Sequence, residues 1–277
     1  MSAEIILDKI EALPALSDSV NHILDICDSP DSALNDLIEA VREDPLVSAN
    51  ILKAANAPEY GYKKEIRDVG QAVTLFGMVS MKGFVMATFI QGLEEIDFSP
   101  YNLDGVTFME LIRKQNAFVT QWYQHDKERL ERLALTSHLM EIGKIILSRV
   151  VIDTSSQKLF AHHIESAGSL LEMIRIEKEI FDLTHEEVSA ELITKWGFSE
   201  AIYAPLRHIS QPGKSPQAHR KETLILYVTK LLINAHNFDK KQNLANAIAI
   251  VKKYNLAPEA FVKTYKSFVA EKVLEPA

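Results

Sequence analysis

The chain has one cysteine, Cys27, so no intrachain disulfide can brace it. That thiol lies between Asp25 and Asp28, whose negative charge disfavours a thiolate, so it reads as a small apolar packing residue and not as a nucleophile. Positive charge is in deficit: 30 Lys and Arg face 38 Asp and Glu, a formal net charge of -8. No global positive field exists to gather nucleic acid or anionic lipid, and both are excluded as expected partners. Glycine and proline number only 10 each in 277 residues, too sparse for a hairpin-rich fold. Long apolar runs are missing as well. The longest, around Gly83 to Leu93, falls short of the ~20 residues a bilayer-spanning helix needs. The opening Met1-Ser2-Ala3-Glu4 lacks the basic stretch of a secretory signal, so a cytoplasmic location is expected.

What is present is helical periodicity. Ile23, Ile26 and Cys27 share one face, and Leu34, Leu37, Ile38 and Val41 share another in steps of three and four. No sustained apolar–polar alternation argues for strands, so the expected fold class is all-α. Thr107 with Glu110, Ser169 with Glu172 and Thr184 with Glu187 carry the S/T-x-x-E pattern that satisfies first-turn amides reciprocally. Asp44-Pro45 reads as an N-cap followed by proline at the first helical position, and Gly197 as the residue just past a helix end. Pro205 should kink or end the helix that begins near Ser199. Asn56, before Ala57-Pro58, suits a helix end or a turn ordered towards Tyr60. Breaks at Glu94 to Asp104 and Gln211 to Gln217 suggest a helical lobe over 1–95, a second over 104–210, and a C-terminal helical annex over 218–277.

Two sets of motifs carry a family resemblance. In the first lobe Asp44-Pro45-Leu46 is followed by Leu52, Ala55-Asn56, Tyr60, Ile66, Ala72-Val73 and Leu75-Phe76-Gly77. In the second, Ile142-Gly143-Lys144 is followed by His185, Val188, Leu192 and Trp196-Gly197-Phe198, with Ser189 and Ser199 where the pattern has Gly and Pro. The ordered set resembles HDOD proteins (HD-related output domain), regulatory relatives of the HD metal-dependent phosphohydrolases. The resemblance implies a multi-helix HDOD fold with a helical lobe like those of HD domains and cyclic-nucleotide phosphodiesterases. It also implies bacterial signalling work through a protein partner bound in trans.

HD enzymes place a His-Asp doublet before Ile-Gly-Lys, and here that doublet is Met140-Glu141. Thioether is a soft donor, ill suited to hard divalent ions. The helix expected over Met109 to Tyr123 puts Lys114 where the family has an upstream histidine, and between Thr154 and Phe238 the only aspartate is Asp182, a helix-end residue. The expectation is therefore a degenerate site with no metal, no cofactor and no catalysis, its vestigial pocket marked by Lys114, His138 and Glu141. His138 and Glu141 stand three apart on one helix face and are also compatible with a shifted metal site or a plain polar edge beside Leu139, Ile142 and Ile146. His162-His163 reads as a solvated doublet, His185 as a structural or surface residue of a first turn, and His208 as a helix end. Lys63-Lys64 and His219-Arg220-Lys221 read as solvated basic clusters.

Three functions follow. The first is a non-catalytic signalling protein that binds a protein partner and accommodates a nucleotide-type ligand. The second is a divergent metal-dependent phosphohydrolase using Glu141 as a ligand. The third is a nucleotide or second-messenger sensor with Lys114 supplying positive charge for a phosphate. No motif encodes the oligomeric state.

Overall fold

Asp44 shows how locally the helices are specified. Its Oδ1 accepts from the backbone amides of Leu46 and Val47, both at 3.0 Å, with Pro45 at the first helical position, where no amide is needed. In the computed structural model, which describes all residues except Met1, Pro14, 61–63, 92–96, Asn237 and 274–277, every regular element among the described residues is helical. The all-α expectation holds. Lys63, the end of the apolar run at Leu93, the start of the expected break at Glu94 to Ile96, and the last four residues fall outside the described set.

The contacts divide the chain into two units, Ala12–Ile96 and a larger one made of Met1–Glu11 together with Asp97–Ala277. In chain order the helices are α1 (Ala3–Glu11), α2 (Asp18–Asp28), α3 (Leu34–Glu43), α4 (Pro45–Ala55), α5 (Val69–Gln91), α6 (Gly105–Tyr123), α7 (Lys127–Leu139) and α8 (Gly143–Asp153). They continue as α9 (Gln157–Ser166), α10 (Leu170–Phe181), α11 (His185–Lys195), α12 (Glu200–Arg207), α13 (Arg220–Leu232), α14 (Lys240–Lys253) and α15 (Pro258–Val273).

In the smaller unit α2, α3 and α4 each pack on α5. The stripe Leu37, Ile38 and Val41 of α3 is buried, as its spacing requires, whereas Ile26 and Cys27 are only half-buried beside buried Ile23. Burial still pushes the Cys27 thiol up to about 12, so it stays protonated near neutrality. Asn56 clips the end of α4 to the approach of α5: its Nδ2 donates to the carbonyls of Leu52 (2.9 Å) and Ile66 (2.8 Å), and its Oδ1 accepts from the Ile66 amide (2.7 Å). Gly77 (φ 72°, ψ 168°) breaks α5 into two helical stretches, in a conformation open to glycine alone.

In the larger unit α1 packs on α8 and α11, and α6, α7, α12 and α13 pack on one another around them. Helix starts mostly follow the caps read from the sequence. Thr184 forms a complete capping box with Glu187. Ser169 caps α10, although the Glu172 carboxylate reaches back to Gly168 at 3.0 Å instead of to Ser169. Thr107 does not start a helix. Asp104 caps α6 three residues before it, accepting from the Thr107 amide at 2.6 Å, so the stronger upstream acceptor captured the helix start. Pro205 lies inside α12, which ends two residues later at Arg207.

Candidate metal centre

The turn between α10 and α11 brings three donors together. Glu177 sits in the penultimate turn of α10, Asp182 closes that helix in a left-handed conformation (φ 61°), and Thr184 opens the next one at once. His185 and Glu186 thereby occupy the first turn of α11 directly beside Glu177. The three residues are each 0% exposed, and one ligand atom from each lies within 4.8 Å of the others. Nitrogen and carboxylate oxygen donors of this kind suit a divalent cation.

Each donor has a distinct setting. Glu177 is the most heavily bonded: it accepts from the Tyr101 hydroxyl (2.9 Å), from the His185 backbone amide (2.9 Å) and from His185 Nδ1, which lies 2.8 Å from both of its oxygens. It orients the imidazole as a carboxylate orients a ligand histidine, leaving Nε2 turned the other way. Glu186 is the least bonded. Its Oε1 lies 2.9 Å from Lys230 Nζ and 3.3 Å from His185 Nε2, and among the described residues its Oε2 has no hydrogen bond.

Around these donors lies a wider polar core. Glu141, in the turn between α7 and α8, accepts from Lys144 (2.6 Å) and Gln115 (2.9 Å) and is 2.9 Å from Lys230. Lys144 also sits over the Tyr101 ring at 5.4 Å. Burial opposes the charge on Glu141, but Lys144 and Lys230 outweigh it and hold the carboxyl well below its ordinary range. Burial likewise opposes the charge on Glu186, which His185 and Lys230 bring down to about 2. On Lys230 burial is outweighed by Glu141 and Glu186, so its pKa is raised.

His185 is pulled two ways. Burial disfavours its charge, Glu177 and Glu186 outweigh that and raise its pKa, and Lys230 and Lys144 oppose them. Lys230 Nζ lies 2.5 Å from Nε2, while Nδ1 faces Glu177 on the other side of the ring.

The expectation of a non-enzyme with a wholly degenerate site is overturned by this cluster. Met140 is buried at the end of α7, and the lost His-Asp doublet is real, yet Glu177, His185 and Glu186 supply a donor set of their own. His185 is likewise no surface residue. The other sequence candidates separate. Glu141 joins the polar core. Lys114 pairs with Glu110 along α6, and it is its neighbour Gln115 that reaches Glu141. His138 is buried and donates from Nδ1 to the Ala134 carbonyl at 3.0 Å. His162 and His163 are exposed, as expected.

The HD pattern prescribes aspartate, so Glu177 and Glu186 lie outside its motif, although two features of the chain mark them. One is His185-Glu186 directly after a capping threonine. The other is Lys230, a single charge in the apolar run Leu224, Ile225, Leu226, Val228 and Leu231. A buried lysine requires a paired carboxylate.

A family model for the HDOD domain matches residues 13–212. No curated protein matches the chain. Solved structures share the fold. A virulence factor from Campylobacter jejuni subsp. jejuni is 24% identical with a TM-score of 0.58, covering 95% of this chain and 96% of its own. A Shewanella amazonensis SB2B protein, provisionally named a phosphohydrolase, is 17% identical with a TM-score of 0.63 over 94% and 97% of the two chains. An HDOD domain protein of unknown function from Geobacter sulfurreducens is 15% identical with a TM-score of 0.54 over 94% and 98%.

Proposed function

The chain belongs to the HDOD domain family, and on that footing we propose that it is a divergent metal-dependent phosphohydrolase of the HD type that holds a divalent cation on His185 Nε2 and Glu186, with Glu177 orienting the imidazole from its Nδ1 side. The observation that carries this reading is the convergence of three fully buried nitrogen and oxygen donors, Glu177, His185 and Glu186, with one ligand atom of each within 4.8 Å of the others. A bound divalent ion would supply Lewis-acid polarisation of a phosphoryl oxygen and a water of lowered pKa. The chain's own residues do the rest. Glu177 fixes the direction of His185, Tyr101 and the first amide of α11 hold Glu177, and Lys144 holds Glu141. HDOD membership supports a setting in bacterial signal transduction, with a protein partner in trans.

All three donors are closed to solvent, so ion and substrate reach them only after a local rearrangement. Elemental analysis of the purified protein should find about one divalent ion per chain at most sites loaded, and Glu186→Gln should lose it while the helical circular dichroism is kept. Metal-dependent hydrolysis of bis(p-nitrophenyl) phosphate should fall at least ~100-fold in the same variant, the scale on which removing a groups' charge stabilisation is felt. A native protein that neither carries nor takes up a divalent ion overturns the reading.

A further inference from the structure

Lys230 reaches from α13 into the donors just described, and nothing in the hydrolase reading requires it there. Its Nζ is 2.5 Å from His185 Nε2, 2.9 Å from Glu186 Oε1 and 2.9 Å from Glu141 Oε1, and the side chain is 2% exposed. These are one imidazole nitrogen and two carboxylate oxygens from three residues, the donor types a divalent ion would take at somewhat shorter range. We propose that the Lys230 ammonium is a built-in occupant of the cation position, and that loading of a divalent metal proceeds by its displacement. The inference rests on the metal reading above and deepens it, since it makes Lys230 the element that regulates loading.

Geometry supports exchange: the ammonium meets Glu186 Oε1 at 2.9 Å as an ion pair, and a spherical ion in its place makes no directional demand of its own. Lys230 stands near the C-terminal end of α13, two residues before Leu232, so its withdrawal asks for movement of a helix end and not of a helix centre.

The test compares Zn2+ binding by chelator-treated wild type, Lys230→Met and Glu186→Gln. Methionine keeps the length of the side chain and removes the charge. Calorimetry should give one site in Lys230→Met at least tenfold tighter than in wild type, and that site should vanish when Glu186→Gln is added to it. In wild type, the slowly exchanging Nζ signal of Lys230 in a lysine-selective 15N NMR spectrum should disappear as Zn2+ is added. That second measurement decides the matter if Lys230→Met does not fold. Wild type and Lys230→Met binding Zn2+ equally, with the Lys230 signal unchanged, overturns the inference and leaves the metal reading intact. Binding by Lys230→Met alone supports the lysine as occupant and sinks the metal-dependent reading of the native chain. Absence of Zn2+ binding in both, with the Lys230 signal unchanged, sinks both.

Discussion

His138 shows at the scale of one residue how burial becomes pH dependence. It is enclosed in α7 with its Nδ1 on the Ala134 carbonyl, and burial outweighs that hydrogen bond and lowers its pKa to about 4. A histidine that is harder to protonate folded than unfolded adds stability that is fully present above the unfolded value near 6.5. That stability is lost as pH falls from there towards about 4. Half-buried His236, also lowered to about 4, acts in the same direction. Urea unfolding free energies should therefore drop between pH 7 and 4, with His138 accounting for up to about 3 kcal/mol. In His138→Gln the slope across that window should be visibly shallower; an unchanged slope counts against the account. In the sequence His138 stands beside the stripe Leu139, Ile142 and Ile146, and nothing there says that the ring is sealed, because sealing depends on which other helices cover that face.

At the scale of elements, Gly143 explains the Ile-Gly-Lys motif. A Cβ on this residue would lie 1.9 Å from the His185 carbonyl oxygen and 2.9 Å from the Ser189 amide, so α8 and α11 approach here with no room for a side chain. The approach is sealed by the Gly143 amide donating to Ser189 Oγ and that hydroxyl donating to the His185 carbonyl, both at 2.9 Å. It also delivers Lys144 and Glu141 to His185. Gly143→Ala must push backbone from backbone, and should cost at least the ~1–3 kcal/mol typical of overpacking. Metal affinity should fall with it, measurable by thermal denaturation with and without Zn2+. Full retention of both would show that the helices can part freely. Local signals served well where a cap has a single candidate, as at Asp44 and Thr184. They failed at Thr107, where Asp104 lay within reach of the same first turn.

Over the whole molecule, the first helix belongs with the last two-thirds of the chain. Ile6 and Ile10 of α1 are buried in the unit containing α8 and α11, and Lys195 Nζ donates to the Ile10 carbonyl at 2.7 Å. Residues 12–96 form the other unit. Ile6→Ala should cost ~2–5 kcal/mol, as large-to-small changes at sealed sites do. The loss should fall on the larger unit: amide exchange should quicken in α8 and α11 and not in α3 or α4. Uniform quickening across both units would contradict that division.

Periodicity, sparse glycine and proline, and the order of short motifs determined by themselves that this chain is all-helical and of the HDOD kind, because those signals act over three or four neighbouring residues. They also disclosed the missing His-Asp doublet. Only the tertiary structure decided that Glu177, His185, Glu186, Glu141 and Lys230 share one buried core. That grouping depends on a glycine-sized gap between two helices and on a lysine reaching in from a third. Charges far apart along a chain leave no periodic trace of meeting; their partnership exists only once burial makes each of them need the others.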